Sequence, residues 1–335
     1  SMSDCPWFSV NSFAIKQGNS VHSVWRNFPR HLHWQPRFWV KNFSDRSVLY
    51  RIVSDEMSPA VLKDDLDSIP TDLPNQIGWT NQIRTAQELF QSTTLNKLVL
   101  ARQSKRIVDN PWTLFADLCQ TQPNCYHFLF SPNSSDLFLG VSPERLFQIQ
   151  ENRLTTEALA GTRAYTKDSS QNTQLQDELK NSKKDGYEHQ IVVKYLHDIL
   201  MPFCTNIEVS SQQLLRLTHV QHLQTPISAT LKNDVELQEL FDTIHPTPAV
   251  SGFPKELSIR CISELEEFDR GYYAGAIGCI ETNSIDFTVS IRSALWSNNQ
   301  LFIWAGAGIV PDSDPDLEWD EINNKAAQFF TRSKP

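Results

Sequence analysis

An α+β fold is what this sequence predicts, and three observations predict it. Short apolar segments of strand length come in runs, above all between Cys125 and Leu159 and again after Tyr273. Segments with helical spacing fall between those runs, without the regular strand–helix alternation of a doubly wound sheet. Nine of the eleven glycines follow position 139, so tight backbone geometry concentrates in the C-terminal part.

Composition narrows the class. The 335 residues suffice to bury a sizeable core, and 40% hydrophobic with 21% charged residues is a soluble globular balance. No apolar run reaches the ~18 residues of a membrane span, and no basic-then-apolar leader is seen, so a cytoplasmic protein with no membrane partner is expected. The six cysteines (5, 119, 125, 204, 261, 279) are scattered without a C-x-x-C pair, which favours free thiols. A net charge of −9 and the lack of a basic run argue against nucleic acid as a partner. An anionic substrate would then need local positive charge from a few Arg or Lys side chains, backbone amides or a metal.

Taken in order, residues 1 to about 70 carry Trp7, Trp25, Trp34 and Trp39, with alternating strand-like segments at 37–43 and 48–53, and read as scaffold. Residues 58–78 read as a connection. A helix is predicted over 80–95, a long strand over 96–108, and a helix from the cap-plus-proline pair Asn110-Pro111. Strands follow at 126–130, 137–141, 146–149 and 154–159. The polar, Gln-rich stretch 168–182 reads as a lead-in to a helix over 185–200. Strands at 205–231, a helix from about Asp234 to before Pro246, and a rigid loop His245–Pro254 feeding another helix come next. The chain closes with strands 273–280, 285–295 and 301–305 and a helix over 315–330, capped by Asp314-Pro315. No repeat, G-x-G-x-x-G or P-loop signature is present.

Two segments carry most of the chemistry. In the last, Gly306 and Gly308 let the backbone approach an anion, and Glu318 and Glu321 share one face of the closing helix. The plainer alternative is a strand, a turn and an exposed acidic helix start. In the helix 185–200 the apolar stripe Ile191, Val192, Tyr195, Leu196 and Ile199 brings Asp185 and Glu188 toward the buried face. A buried carboxylate pair wants a cation, and hard oxygens suit a hard divalent one. Lys97 opens a strand, either solvated or serving as a general base, a role for which desolvation must bring it down from ~10.4. Glu144, in Gly140-Val-Ser-Pro-Glu-Arg-Leu-Phe147, is a surface turn residue or a general acid. Gly161 and Thr162 end a strand in a possible carboxylate-binding turn, and Arg292, inside the strand 287–295, needs an anionic partner that its fork suits. His219 and His222 are read as structural, and His245 as a loop cap or a pocket residue.

Six separated motifs, Lys97-Leu-Val-Leu-Ala-Arg, Ser142-Pro-Glu-Arg-Leu, Thr156-Glu-Ala-Leu-Ala-Gly-Thr, Pro246-Thr-Pro-Ala-Val-Ser-Gly-Phe-Pro, Ser290-Ile-Arg-Ser-Ala and Ala305-Gly-Ala-Gly-Ile-Val, occur in the order seen in chorismate-utilising enzymes. The resemblance spans roughly residues 80–330 and is strongest towards menaquinone-pathway isochorismate synthases, through Leu215-Arg-Leu-Thr-His-Val-Gln-His-Leu, Tyr273-Ala-Gly and Glu321-Ile-Asn-Asn-Lys-Ala-Ala. The resemblance implies one chorismate-binding domain over 1–335 built on two large packed antiparallel sheets, with 1–78 as scaffold and 79–330 bearing the motifs. It implies that Lys97 activates water for attack at C2 of chorismate, that Glu144 protonates the departing C4 hydroxyl, and that Glu188 and Glu321 bind Mg²⁺ directly with Asp185 and Glu318 holding its waters. It implies that Arg292, Gly308, Gly306, Gly161 and Thr162 hold carboxylate, that Ala249 and His245 line the substrate pocket, and that the enzyme is a monomer. Lysine at 97 with alanine at 160 resembles the water-using members rather than those that use ammonia. The wording of residues 245–250 is similar to siderophore-pathway synthases, and a lyase step giving salicylate, or a silent binding protein, are the alternatives.

Overall fold

The computed structural model describes residues 7–11, 13, 25, 31–34, 38–42, 47–51, 71–131, 135–166, 168–217 and 220–330. In chain order these form β1 (Trp7–Asn11), β2 (His31–Trp34), β3 (Phe38–Asn42), β4 (Ser47–Arg51), β5 (Thr71–Leu73), α1 (Gln76–Ser92), β6 (Lys97–Ile107), α2 (Pro111–Thr121), β7 (Tyr126–Phe130), β8 (Asp136–Ser142), β9 (Arg145–Gln150) and β10 (Arg153–Ala164). There follow α3 (Ser169–Asn181), α4 (Lys183–Leu200), β11 (Cys204–Val209), β12 (Gln213–Arg216), β13 (Val220–Leu231), α5 (Leu237–Ile244), β14 (Gly252–Phe253) and α6 (Lys255–Leu265). The chain ends with β15 (Ala276–Ile280), β16 (Ser284–Val289), β17 (Ser293–Ser297), β18 (Gln300–Ile309), α7 (Pro315–Ala326) and a 3₁₀ turn, Ala327–Phe329.

The strands form two large antiparallel sheets, as an α+β fold of this kind requires. One has nine strands, in the order β11-β13-β10-β9-β16-β15-β1-β2 with β12 also on β13. The other has seven, β14-β6-β18-β17-β8-β7 with β5 also on β6, and β3 pairs with β4 apart from both. Central strands are apolar on both faces because helices cover what the other sheet does not: β8 is buried at every position, and α4 lies along β10 and α7 along β18. In the core Trp25 stacks on Trp304 at 5.1 Å between ring centroids and meets Phe138 edge-on at 5.5 Å. Each such ring contributes about 2–3 kcal/mol through burial.

Local rules explain most boundaries. Asn110 caps α2 through the N–H groups of Trp112 and Thr113, and Asp314 caps α7 through Asp316 and Leu317, each with proline at the first position. Ser182 caps α4 through the N–H of Asp185.

Four expectations need correction. The polar stretch 168–182 is itself a helix, α3, capped by Asp168 and burying only Asn172 and Leu179, which is why its pattern is faint. The segment 285–295 is not one strand. It breaks after Val289 and resumes at Ser293 in the other sheet, leaving Arg292 outside any strand at φ 50°. Gly161 and Thr162 do not end a strand; β10 runs on to Ala164 through a bulge at Gly161, φ 74°. Gly306 and Gly308 lie inside β18, paired with Ala101 and Val99, rather than in a turn. Strand-like segments at 37–43 and 48–53 appear as the pair β3–β4, whereas residues 52–70 and His219 lie outside the described residues.

Candidate active site

Two short links carry the chain from one sheet to the other, side by side. Pro143-Glu144 joins β8 of the seven-stranded sheet to β9 of the nine-stranded one, and Ser290-Ile291-Arg292 returns from β16 to β17. They are tied together: the N–H of Val289 donates to the Glu144 carbonyl (3.0 Å), the N–H of Val141 to the Arg292 carbonyl (3.0 Å), and the Ser142 hydroxyl to the Val289 carbonyl (2.6 Å). A link has no ladder of its own, so its side chains can face the space where the two sheets part. Glu144 and Arg292 are there for that reason.

The space is a cleft of about 630 Å³, counted out to its open mouth. Its walls include Glu144, Gly161, Thr162, Glu188, His222, Ala249, Arg292, Gly306, Gly308, Glu321 and Lys325, so both sheets, α4 and α7 all contribute. Four expected residues are not on that wall: Lys97, Asp185, Glu318 and, most plainly, His245. It is buried with its ring against Phe241 (5.7 Å) and its carbonyl accepting from Lys255 (2.7 Å), behind the cleft rather than on its wall. Lys97 also stands behind the wall, 0% exposed, with Nζ 3.1 Å from Glu188 Oε1 but not aligned for a hydrogen bond. Gly308 makes that approach possible: a Cβ there would overlap Glu188 Oε1 and come within 3.0 Å of Lys97 Cε.

Electrostatics separates the roles. Burial first, then the neighbouring charge of Glu157, pushes Glu144 up to about 8 against the opposing pull of Lys97 and Lys325. At neutral pH it therefore carries a proton in a water-poor cleft, as a general acid must. Arg292 is 8% exposed and, among the described residues, forms no ion pair. Burial lowers it to about 10, with Cys125, Tyr273 and Glu321 opposing, and it stays a cation at neutral pH. Its guanidinium has a polar contact with His222 Nε2 at 3.3 Å. Burial and Arg292 hold His222 down at about 3, so its ring is neutral. Because Arg292 can only donate, Nε2 accepts, and the proton belongs on Nδ1, 3.2 Å from the Gly161 carbonyl and 3.1 Å from Thr162 Oγ1. A buried guanidinium that meets only a neutral ring is a site for an anion.

Four carboxylates cluster beside it on α4 and α7. Asp185 pairs with Arg163 (2.8 Å), Glu318 with Lys184 (2.5 Å) and Glu321 with Lys325 (2.7 Å), while Glu188 faces Lys97. Burial and the charge of Glu321 raise Glu318; Glu321 goes the other way, since Lys325 and Lys184 outweigh its own burial. Among the described residues no three carboxylate, imidazole or thiol side chains close on one point. Two oxygens of the set are nevertheless buried with no hydrogen-bond partner, Asp185 Oδ1 and Glu318 Oε2. Unmet carboxylate oxygen is costly in a protein interior and is what a hard divalent cation satisfies, so the donor set fits Mg²⁺.

Lys325, His222 and Tyr273 also stand on the wall, although none was given a site role from the sequence. Lys325 stands four residues after Glu321, a helical pair spacing that signals it, and its ammonium also donates to the Gly306 carbonyl (2.8 Å). His222 was read as structural, although a histidine within an apolar strand is a signal of its own. Tyr273 precedes β15 in a turn and offers no such sign.

Residues 8–332 match the family described as chorismate binding enzyme, and the chain belongs to that family. Among individual proteins, it is similar to the isochorismate synthase MenF of Escherichia coli, at 38% identity over 77% of this chain and 60% of that one. It is 37% identical to MenF of Haemophilus influenzae over 79% of this chain and 64% of that one. This chain thus spans just under two thirds of the length of these relatives. A solved structure described as the menaquinone-specific isochorismate synthase MenF from Escherichia coli superposes with a TM-score of 0.81 at 30% identity, covering 98% of this chain and 78% of that one.

Proposed function

We propose that this chain is a Mg²⁺-dependent isochorismate synthase that adds water at C2 of chorismate and expels the C4 hydroxyl. The observation that carries the reading is a carboxyl kept protonated near neutrality, Glu144, in the same cleft as a buried arginine without an anionic partner. Arg292, with the backbone of Gly308 and Gly161 beside it, grips the pyruvyl carboxylate of the substrate. Lys97 takes a proton from the attacking water, and Glu144 gives its proton to the leaving hydroxyl, which departs as water while the ring double bonds shift. One water enters and one leaves, so the step is an isomerisation. Glu188 and Glu321 would hold Mg²⁺, with Asp185 and Glu318 around its waters; when bound, the ion supplies positive charge to the ring carboxylate.

The likeness to MenF, menaquinone-specific in the Escherichia coli structure, supports a place in menaquinone synthesis. A net charge of −9 supports a small-molecule partner over nucleic acid, and a cytoplasmic monomer is the form proposed.

The deciding measurement is incubation with chorismate, with and without Mg²⁺, and chromatographic separation of the products. Metal-dependent isochorismate is expected. Salicylate with pyruvate would move the protein to the synthase–lyase reaction, and no consumption of chorismate would overturn the reading. In the same assay Lys97→Ala should lose about a thousandfold in kcat while calorimetry still detects Mg²⁺-dependent chorismate binding. A variant that kept most of its rate would remove Lys97 from the base role.

A further inference from the structure

The β9–β10 hairpin stops pairing early. Its register runs Arg153↔Gln150, Leu154↔Ile149 and Thr155↔Gln148, and beyond Thr155 the two strands part. Two side chains of β10 replace the missing ladder. The Thr156 hydroxyl donates to the Leu146 carbonyl (2.6 Å), and Glu157 Oε1 accepts the N–H of Arg145 (3.1 Å). The other Glu157 oxygen takes the Gln224 amide, whose own oxygen accepts from Gln213 (2.8 Å), so the carboxylate is held from the β12–β13 side. Arg145 immediately follows Glu144, and its guanidinium is fixed in turn on the Tyr126 hydroxyl (2.7 Å).

We propose that Glu157 is a positioning residue for Glu144: it anchors the link by the Arg145 N–H and sets a second carboxylate against the one that carries the proton. This rests on the reading of Glu144 as the acid. The groups that bear on the Glu144 carboxyl are Glu157 from β10, Lys97 from β6, Lys325 from α7 and the Tyr273 hydroxyl ahead of β15. The two lysines favour its ionised form, and among the described residues it is Glu157 that supplies negative charge against it. A backbone N–H could be satisfied by a serine, an asparagine or a water. A carboxylate at that place adds what those cannot, a like charge that opposes loss of the proton.

The test is the pH profile of kcat/KM for chorismate in the Mg²⁺-loaded enzyme, with three variants. Glu157→Gln keeps an oxygen for the Arg145 N–H and removes the charge. Its basic limb should move to lower pH, giving roughly three- to tenfold less activity than the parent above pH ~8.5, with little change near pH ~6.5. Glu157→Leu removes anchor and charge together, and should show the same shift plus a loss of kcat at every pH. A basic limb that stays in place in Glu157→Gln overturns the proposal while leaving Glu144 as the acid. In Glu144→Gln, assayed for its residual turnover, the limb should vanish; if it persists there, it belongs to another group, and the acid assignment falls first.

Discussion

Two of the three arginines buried among the described residues, Arg270 and Arg292, are opposites. Arg270 is 3% exposed and fully engaged: Nε donates to Glu266 Oε2 (2.8 Å), the guanidinium also meets Glu266 Oε1 (2.5 Å), and the carbonyls of Val250 and Val99 accept from it at 2.8 Å each. Its face covers Phe13 at 4.5 Å. Although burial works against it, the Glu266 carboxylate raises its pKa. Arg292 is nearly as buried, yet it meets a neutral histidine, and its pKa falls. The first arginine joins the 247–254 loop, α6 and β6 into one body, and its donors are spent on the protein. The second has donors to spare. Burial marks neither as functional. What does is a charge whose partners the fold leaves out.

Three single variants and one double variant test that contrast. Arg270→Met removes the cation that faces the buried Glu266 carboxylate, so about 3–5 kcal/mol of stability should be lost in denaturant titrations, with Tm falling accordingly. Replacing both partners, as Arg270→Met with Glu266→Leu, should restore most of that loss; a double variant as unstable as the single one would show that the carbonyl contacts, not the ion pair, matter. Arg292→Met should leave the unfolding midpoint unchanged or slightly raised, since a poorly compensated charge is removed, while kcat/KM for chorismate falls about a hundredfold. If instead it unfolds like Arg270→Met, the distinction between the two collapses. His222→Gln, which keeps a hydrogen-bond acceptor near Arg292, is the mildest: KM should rise about three- to tenfold with kcat nearly unchanged. A fall in kcat alone would place His222 in the chemistry rather than behind the arginine.

Much of the fold was legible because local rules were strong where they applied. The strand 126–130 and the capped starts at Pro111 and Pro315 were read directly, and the inward turn of Asp185 and Glu188 followed from the apolar stripe of α4. Illegibility had physical causes as well. Ile285–Leu295 reads as one strand because apolar residues alternate on both sides of the break, and a positive φ at a non-glycine residue leaves no mark in sequence. Gly161 did leave one, since a glycine inside a strand pattern points to a bulge. His245, read as a loop cap or a pocket residue, packs on Phe241 one layer behind the cleft, a depth that residue type does not signal.

The paired links between the sheets also fix how the site tolerates change. Glu144 and Arg292 are tied by main-chain bonds to one another's strands, so their separation is a property of the sandwich's alignment and not of side-chain rotamers. Such a site is calibrated by the scaffold. A substitution that slides one sheet against the other, however distant, shifts proton donor and anion grip together, whereas variation on the outer helices leaves the gauge between them untouched.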